Sequence, residues 1–138
     1  MFPQITGVFP HQEIIDRTTT NCWEDDRVVS AFKKTGRKKL VLAGLLTEVC
    51  IAMPAIQAIK ERYEVYIVAD ACGGTITMAH DIAMERTIQA GAVPIAWLPI
   101  LLELQRGWAH LETYKAVISL AMEDAGTYGM GMSMLKQC

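Results

Sequence analysis

The hydrophobic pattern is clearest where the chain changes from one periodicity to another. Residues 40–43 form a continuous apolar run that stops at Gly44, which is typical of a buried parallel strand. Apolar residues then recur at the spacing of one helix face, at Val49, Ile51, Ile56 and Ile59. The pattern therefore predicts a strand over 39–44 followed by a helix over 47–62.

Strand and helix patterns alternate along the rest of the chain. Residues 1–20 mix turn-forming and scattered apolar residues and predict no convincing helix or long strand. The other predicted elements are a helix over 24–35, a strand over 65–69, a helix over 75–90, a strand over 93–97, a helical turn over 100–105 and a last helix over 108–125, from which the tail departs. This alternation indicates an α/β fold with a parallel sheet and helical crossovers.

We interpret residues 1–138 as a single domain, because a chain that is 51% hydrophobic and 20% charged can bury a sizeable core. Three parallel strands nevertheless make a small sheet for this architecture, since both faces are normally covered. Either the chain begins partway through a longer protein, or a partner subunit covers an exposed edge. We favour the first explanation, in which an N-terminal strand and its following helix are absent.

Composition argues against several classes of partner. The net charge is −2, so nucleic acid is not expected, and the basic cluster over 37–39 is interpreted as a solvated turn. The longest apolar runs are short or interrupted by proline, and no leader pattern is seen, so no membrane association is expected. Four cysteines without a C-x-x-C pair fit a reducing compartment, which predicts a cytoplasmic protein without a metal site.

Cys50 is the candidate nucleophile because of its position. Ligands bind at the carboxyl ends of parallel strands, and Cys50 follows the first predicted strand. With Thr47 as the helix N-cap, Cys50 falls in the first turn, where backbone N–H groups and the helix dipole favour a negative sulfur. The alternative is a small buried thiol that fills the junction between strand and helix.

Few side chains are placed to assist this thiol. Asp70 and Cys72 follow the second predicted strand, and Asp70 is interpreted mainly as a residue that fixes its own turn. The cation expected nearest to Cys50 is Arg17. Surface or packing roles are expected for the three histidines, which are His11, His80 and His110.

Several motifs occur in an order that resembles the isochorismatase-like cysteine hydrolases. They are AGLLTEVC, then VADACGG, then a helix that carries His80 and Arg86 and ends in QAGAVP. The resemblance runs from about Phe9 to Trp108, and the segments DRTTTNCWEDD and ELQRGW are most similar to an octameric, amidase-like branch. It implies a three-layer α/β/α fold with a parallel sheet, no essential cofactor and a homo-oligomer.

The same resemblance implies a cysteine-dependent hydrolase of a small amide or a related C–N substrate. Family members use a triad of the Cys–Asp–Lys type and form a covalent acyl-enzyme that water later hydrolyses. On this assignment Cys50 is the nucleophile and Arg17 supplies the positive charge. The N–H groups of Leu46 and Cys50 face the oxyanion beyond a cis Leu45–Leu46 peptide bond.

Substrate contacts are expected from Asn21, Trp23 and Thr47. Trp23 is equally interpretable as a hydrophobic staple for the helix that follows it. Glu48 is expected to turn outward, because a carboxylate beside the thiol would disfavour the thiolate. The methionine-rich tail and the apolar final helix independently predict oligomerisation.

Two departures from the family pattern leave alternatives open. Arg17 stands near the position of the family's lysine, and arginine stays protonated, so it stabilises a thiolate without shuttling a proton. The family's aspartate has no counterpart in the chain, which an absent N-terminal strand would explain. The alternatives are a catalytically silent oligomeric member of the same fold and a redox sensor that uses Cys50 and Cys72 as a dithiol.

Overall fold

The computed structural model describes residues 3–135 as alternating strands and helices. The strands are β1 (Lys39–Leu45), β2 (Glu64–Gly73) and β3 (Val93–Ile95). The helices are α1 (Pro3–Val8), α2 (Asp26–Lys34), α3 (Ala52–Lys60), α4 (Thr77–Gln89), α5 (Trp97–Gln105), α6 (Leu111–Asp124) and α7 (Gly126–Leu135). Two short helical turns complete this part of the chain, a 3-10 turn at Cys22–Glu24 and a π turn at Thr47–Ile51.

The three strands form one parallel sheet in the order β1-β2-β3. Helices α3 and α4 connect successive strands and pack against each other and against β2. The predicted α/β fold with a parallel sheet and helical crossovers is therefore confirmed. Within residues 3–135, β1 pairs with β2 alone, so its outer edge has no strand partner there. The predicted absence of an N-terminal strand stays a prediction.

The hydrophobic core lies between the sheet and the helices of one face. Side chains of β1 and β2 alternate, so that Leu40, Val65 and Ile67 point to the buried side. Small residues of α3 let that helix approach the sheet closely, and Trp23 and Tyr63 fill the space beside it. The core thus contains the predicted strands together with one aromatic residue from the segment before α2.

β2 continues beyond its predicted end at residue 69. Leu42 pairs with Ile67, whereas Gly44 pairs with Cys72, so the register shifts between these two positions of β1. The prediction that Asp70 and Cys72 follow the strand is therefore wrong, since both lie within it. Burial ends near residue 69 while strand pairing does not, which is why the apolar pattern stops before the strand does.

The predicted helix over 47–62 is divided into a π turn and α3. Pro54 has no N–H group and is tolerated only in the first turn of an α-helix, so a regular helix begins at Ala52 rather than at Thr47. The chain leaves α3 through Arg62, which has a positive φ of 66°. The prediction of a helix following β1 is correct, but its first turn has a different geometry.

Helices also form at both ends of the described chain, where none was predicted. α1 is six residues long and begins with Pro3, whose fixed φ suits the first helical position. It buries no side chain, which explains why the sequence shows no apolar periodicity there. α7 packs on α6, and a Cβ at Gly129 would lie 2.4 Å from the Ala121 carbonyl oxygen, so glycine permits this approach.

Candidate functional site

Cys50 lies in the Thr47–Ile51 turn, called the Cys50 turn below, at the carboxyl end of β1. The Leu46 carbonyl oxygen accepts hydrogen bonds from the N–H groups of Val49, Cys50 and Ile51, at 3.2, 2.9 and 3.3 Å. The thiol is partly exposed and forms no disulfide. The expected cis peptide bond between Leu45 and Leu46 is present.

Two predictions about the Cys50 turn are wrong. The Cys50 N–H group donates to the Leu46 carbonyl, as in a helical turn, so it is not free to face an oxyanion. Thr47 does not cap the helix, because Leu46 occupies the N-cap position without a side-chain bond. The Thr47 hydroxyl is instead 2.9 Å from His80 Nδ1, and the residue is completely buried.

Glu48 turns toward the start of α4 rather than outward, contrary to the sequence prediction. Its Oε1 accepts a hydrogen bond of 2.9 Å from the Thr75 N–H group, just before that helix. This backbone hydrogen bond is the main reason why the pKa of the Glu48 carboxyl lies below its usual value. The carboxylate is therefore held by the segment just before α4, which sequence reasoning missed because the two residues lie 27 positions apart.

The segment before α2 is fixed along α3 by two side-chain hydrogen bonds. Asn21 Nδ2 donates to Gln57 Oε1 at 2.7 Å, and Trp23 Nε1 donates to Glu61 Oε1 at 2.8 Å. Both segments advance in the same direction along these contacts. Asn21 and Trp23 therefore anchor this segment to the middle and the carboxyl end of α3.

Arg17 and Cys50 both lie close enough to Cys22 to influence its ionisation. Burial is the main cause that raises the pKa of Cys22, the Arg17 charge lowers it, and a Cys50 thiolate raises it further. The Arg17 guanidinium also donates to the carbonyl oxygens of Thr19 and Thr20. Arg17 and Cys50 thus both influence Cys22, for which no sequence signal was recognised, and the predicted pairing of Arg17 with Cys50 stays a prediction.

Asn21 and Trp23 have structural partners. Trp23 is only 4% exposed and stacks on Phe32, with a ring-centroid distance of 5.3 Å, while Tyr63 contacts it edge-on at 5.4 Å. Asn21 is also buried, and its Oδ1 accepts the Trp23 N–H at 3.0 Å. These contacts favour packing roles, and the predicted substrate contacts of Asn21, Trp23 and Thr47 stay predictions.

Asp70 and Cys72 lie within β2 and have neighbours of their own. Asp70 Oδ1 accepts a hydrogen bond of 2.9 Å from the Trp97 N–H group and so fixes the first residue of α5. The pKa of Cys72 is raised mainly by burial, and the nearby charge that affects it is Asp70. The alternative in which Cys50 and Cys72 act as a dithiol stays a prediction.

The described residues carry no cluster of three or more His, Cys, Asp or Glu side chains that could hold a metal ion. Within the same part of the chain, every helix is too short or too polar to cross a bilayer. The chemically distinctive feature of this edge of the sheet is the partly exposed Cys50 thiol. Such a thiol can attack an electrophilic carbon.

Comparisons with known proteins give consistent similarities. A family model described as the isochorismatase domain matches residues 3–97. A probable hydrolase, YcaC of Escherichia coli strain K12, is 38% identical over 111 residues, which cover 80% of this chain and 53% of that protein. The chain therefore spans about half the length of this relative.

Two solved structures are similar over nearly the whole chain. The crystal structure of the Escherichia coli YcaC gene product, described as an octameric hydrolase of unknown specificity, has a TM-score of 0.88 and 32% identity, covering 98% of this chain and 66% of that one. YcaC from Pseudomonas aeruginosa, solved with hexane-2,5-diol and covalent acrylamide, has a TM-score of 0.86 and 30% identity, covering 97% and 66%.

Proposed function

Because the chain belongs to the isochorismatase family, we propose that it is a cysteine-dependent hydrolase of a small amide or a related C–N substrate. The observation that carries the proposal is the position of Cys50. Its thiol is partly exposed in the turn that follows β1, at the edge of a parallel sheet where ligands bind.

The proposed reaction has two steps. The Cys50 thiolate attacks the carbonyl carbon, a C–S bond forms, and the C–N bond breaks as the amine leaves with a proton taken from water. Water then adds to the thioester, which releases the carboxylic acid and restores the thiol. Arg17 stabilises the negative sulfur, and the Leu46 N–H group is the proposed donor to the oxyanion.

Covalent acrylamide in the Pseudomonas aeruginosa relative supports this assignment. Acrylamide is a small amide with an electrophilic carbon, and thiolates add to it readily. A reactive nucleophile in this fold would form such a covalent adduct. We assign that reactivity in this chain to Cys50, because its partly exposed thiol lies in the turn after β1, at the edge where ligands bind. Burial raises the pKa of both Cys22 and Cys72, which disfavours their thiolates.

The test is acrylamide labelling of the native protein, followed by peptide mass spectrometry that resolves every cysteine. We expect Cys50 to be labelled faster than Cys22 and Cys72. The Cys50→Ala variant should lose both this adduct and hydrolysis of a panel of small amides, whereas Cys22→Ala should keep them. Preferential labelling of Cys22 or Cys72, or amide hydrolysis that survives in Cys50→Ala, would contradict the proposal.

We further propose that the chain forms a homo-oligomer. The similar Escherichia coli hydrolase is octameric, and large apolar side chains of α5, α6 and α7 are exposed on the isolated chain.

We also propose a reducing, cytoplasmic location, which the free cysteines at positions 22, 50 and 72 fit.

A further inference from the structure

Two consecutive residues of the Cys50 turn are attached to the beginning of α4. The Thr47 hydroxyl and His80 Nδ1 are hydrogen-bonded at 2.9 Å, and Glu48 Oε1 accepts the Thr75 N–H at 2.9 Å. Thr75 lies just before α4, and His80 lies in the first turn of that helix. The turn that carries the nucleophile is therefore held against a different element of the fold.

Thr47 holds the Cys50 turn at two points. Its carbonyl oxygen accepts a hydrogen bond from the Ala52 N–H group, on the far side of Cys50. Its hydroxyl is held by His80, and its side chain is completely buried. A displacement of Thr47 would accordingly move the backbone that fixes the position of Cys50.

The close approach of α4 to this turn depends on Gly74. A Cβ at that position would lie 2.9 Å from Glu48 Oε2 and 2.9 Å from the backbone nitrogen of His80. A side chain at position 74 would force the Cys50 turn and α4 apart. The glycine therefore allows both hydrogen bonds to form.

His80 itself contributes little to the hydrophobic core. Its side chain is partly exposed and lines an open surface groove with Gly73, Ile76 and Thr77. Truncation at this position would remove the contact with Thr47 without opening a buried cavity. The effect of such a change should hence appear in the position of the turn more than in global stability.

We propose that His80 is a positioning residue that acts through Thr47 to hold Cys50 in its reactive geometry, with Glu48 as a second attachment. The inference rests on the proposed function, in which Cys50 is the nucleophile. Displacing a reacting group by ~1 Å can lower a rate by up to about 100-fold. Two hydrogen bonds, one to α4 and one to the residue two positions before it, are a direct way to prevent such a displacement.

The experiment compares acrylamide labelling rates at Cys50, Cys22 and Cys72 in folded protein by peptide mass spectrometry. We expect His80→Ala to lower the Cys50 rate by about tenfold. Thr47→Val, which keeps the shape but removes the hydroxyl, should have a similar effect, and the double variant should be no slower than either single variant. His80→Asn places an amide near the Nδ1 position and should restore most of the rate.

His110→Ala is the matched control, because His110 Nδ1 is hydrogen-bonded at 2.8 Å to the Gln105 carbonyl oxygen, away from the turn. We expect it to leave the Cys50 rate unchanged. A merely destabilising change would instead expose thiols, so that labelling of Cys22 and Cys72 would rise together with that of Cys50. The three rates therefore separate loss of position from loss of stability.

The result that would overturn the inference is a wild-type labelling rate for Cys50 in His80→Ala. Additive effects of Thr47→Val and His80→Ala would also contradict it, because the two residues would then act independently. Failure of the proposed function looks different, since Cys50 of the wild-type protein would then react no faster than Cys72. That outcome would remove the basis for a positioning role as well.

Discussion

Cys22 and Cys72 are the natural internal references for the reactivity of Cys50. Burial raises the pKa of both thiols, so at neutral pH a smaller fraction of each is thiolate than in an ordinary cysteine. We predict slow labelling of both at pH 7, with rates that rise about tenfold per pH unit until each pKa is reached. Iodoacetamide labelling across a pH series, resolved by peptide, measures this. Rapid, pH-independent labelling near pH 7 would show that burial does not control them.

Substitutions of Trp23 distinguish a packing role from a substrate contact. Its indole fills the core between Phe32 and Tyr63, so Trp23→Ala should lower the free energy of unfolding by about 3–5 kcal/mol. Trp23→Phe keeps an aromatic ring and should lose about 1 kcal/mol with the hydrogen bond to Glu61. Urea unfolding monitored by circular dichroism gives both values. A Trp23→Ala protein of normal stability but weaker substrate binding would favour the predicted substrate contact instead.

At the level of elements, the contact between α4 and the Cys50 turn depends on Gly74. A methyl group there would meet the backbone of His80, which cannot move as a flexible side chain can, so Gly74→Ala should destabilise the protein by about 1–3 kcal/mol. Gly107→Ala is the control, because open space surrounds that position and its substitution should be neutral or slightly stabilising. The free energies of unfolding of the two variants, measured in urea, should differ in this direction. Equal values would mean that the contact with α4 adapts without cost.

Local patterns predicted most of the elements, and the differences between predicted and observed bounds show what such patterns do not detect. The apolar runs predicted all three strands, yet β2 extends to Gly73 because pairing with β1 continues after its side chains cease to be buried. Pro54 lies in the first turn of α3 and limits how early that helix can begin, a local signal that the apolar spacing alone did not include. α1 buries nothing, so no periodicity could reveal it.

At the scale of the whole molecule, the exposed apolar side chains of α5 and α6 predict self-association. Leu104 and Leu111 are 77% and 76% exposed on the isolated chain, which is unusual for leucine in a monomer unless a partner covers them. We predict a solution mass that is a multiple of 15.3 kDa and falls in Leu104→Lys and Leu111→Lys variants. Light scattering coupled to size-exclusion chromatography measures the mass. Ile5→Lys, on an exposed position of α1, is the control and should not change it. A monomeric wild-type chain would contradict the prediction.

The sequence by itself determined the α/β fold and the place of Cys50 in the first turn after β1. Both depend on the spacing of apolar residues and on the order of strands and helices, which are local properties of the chain. The motifs around Cys50 also sufficed to identify the family. These predictions needed no knowledge of which distant residues meet.

Only the tertiary structure decided what surrounds that thiol. The Thr47–His80 pair joins residues 33 positions apart, Glu48 and Thr75 are 27 apart, and Trp23 meets Glu61 across 38. Each pairing depends on how two elements pack. From the sequence alone, the Thr47 hydroxyl could cap its own helix or form a hydrogen bond with a distant histidine equally well. Packing of α4 against the Cys50 turn selects the distant partner, because it buries the hydroxyl where His80 is within hydrogen-bonding distance.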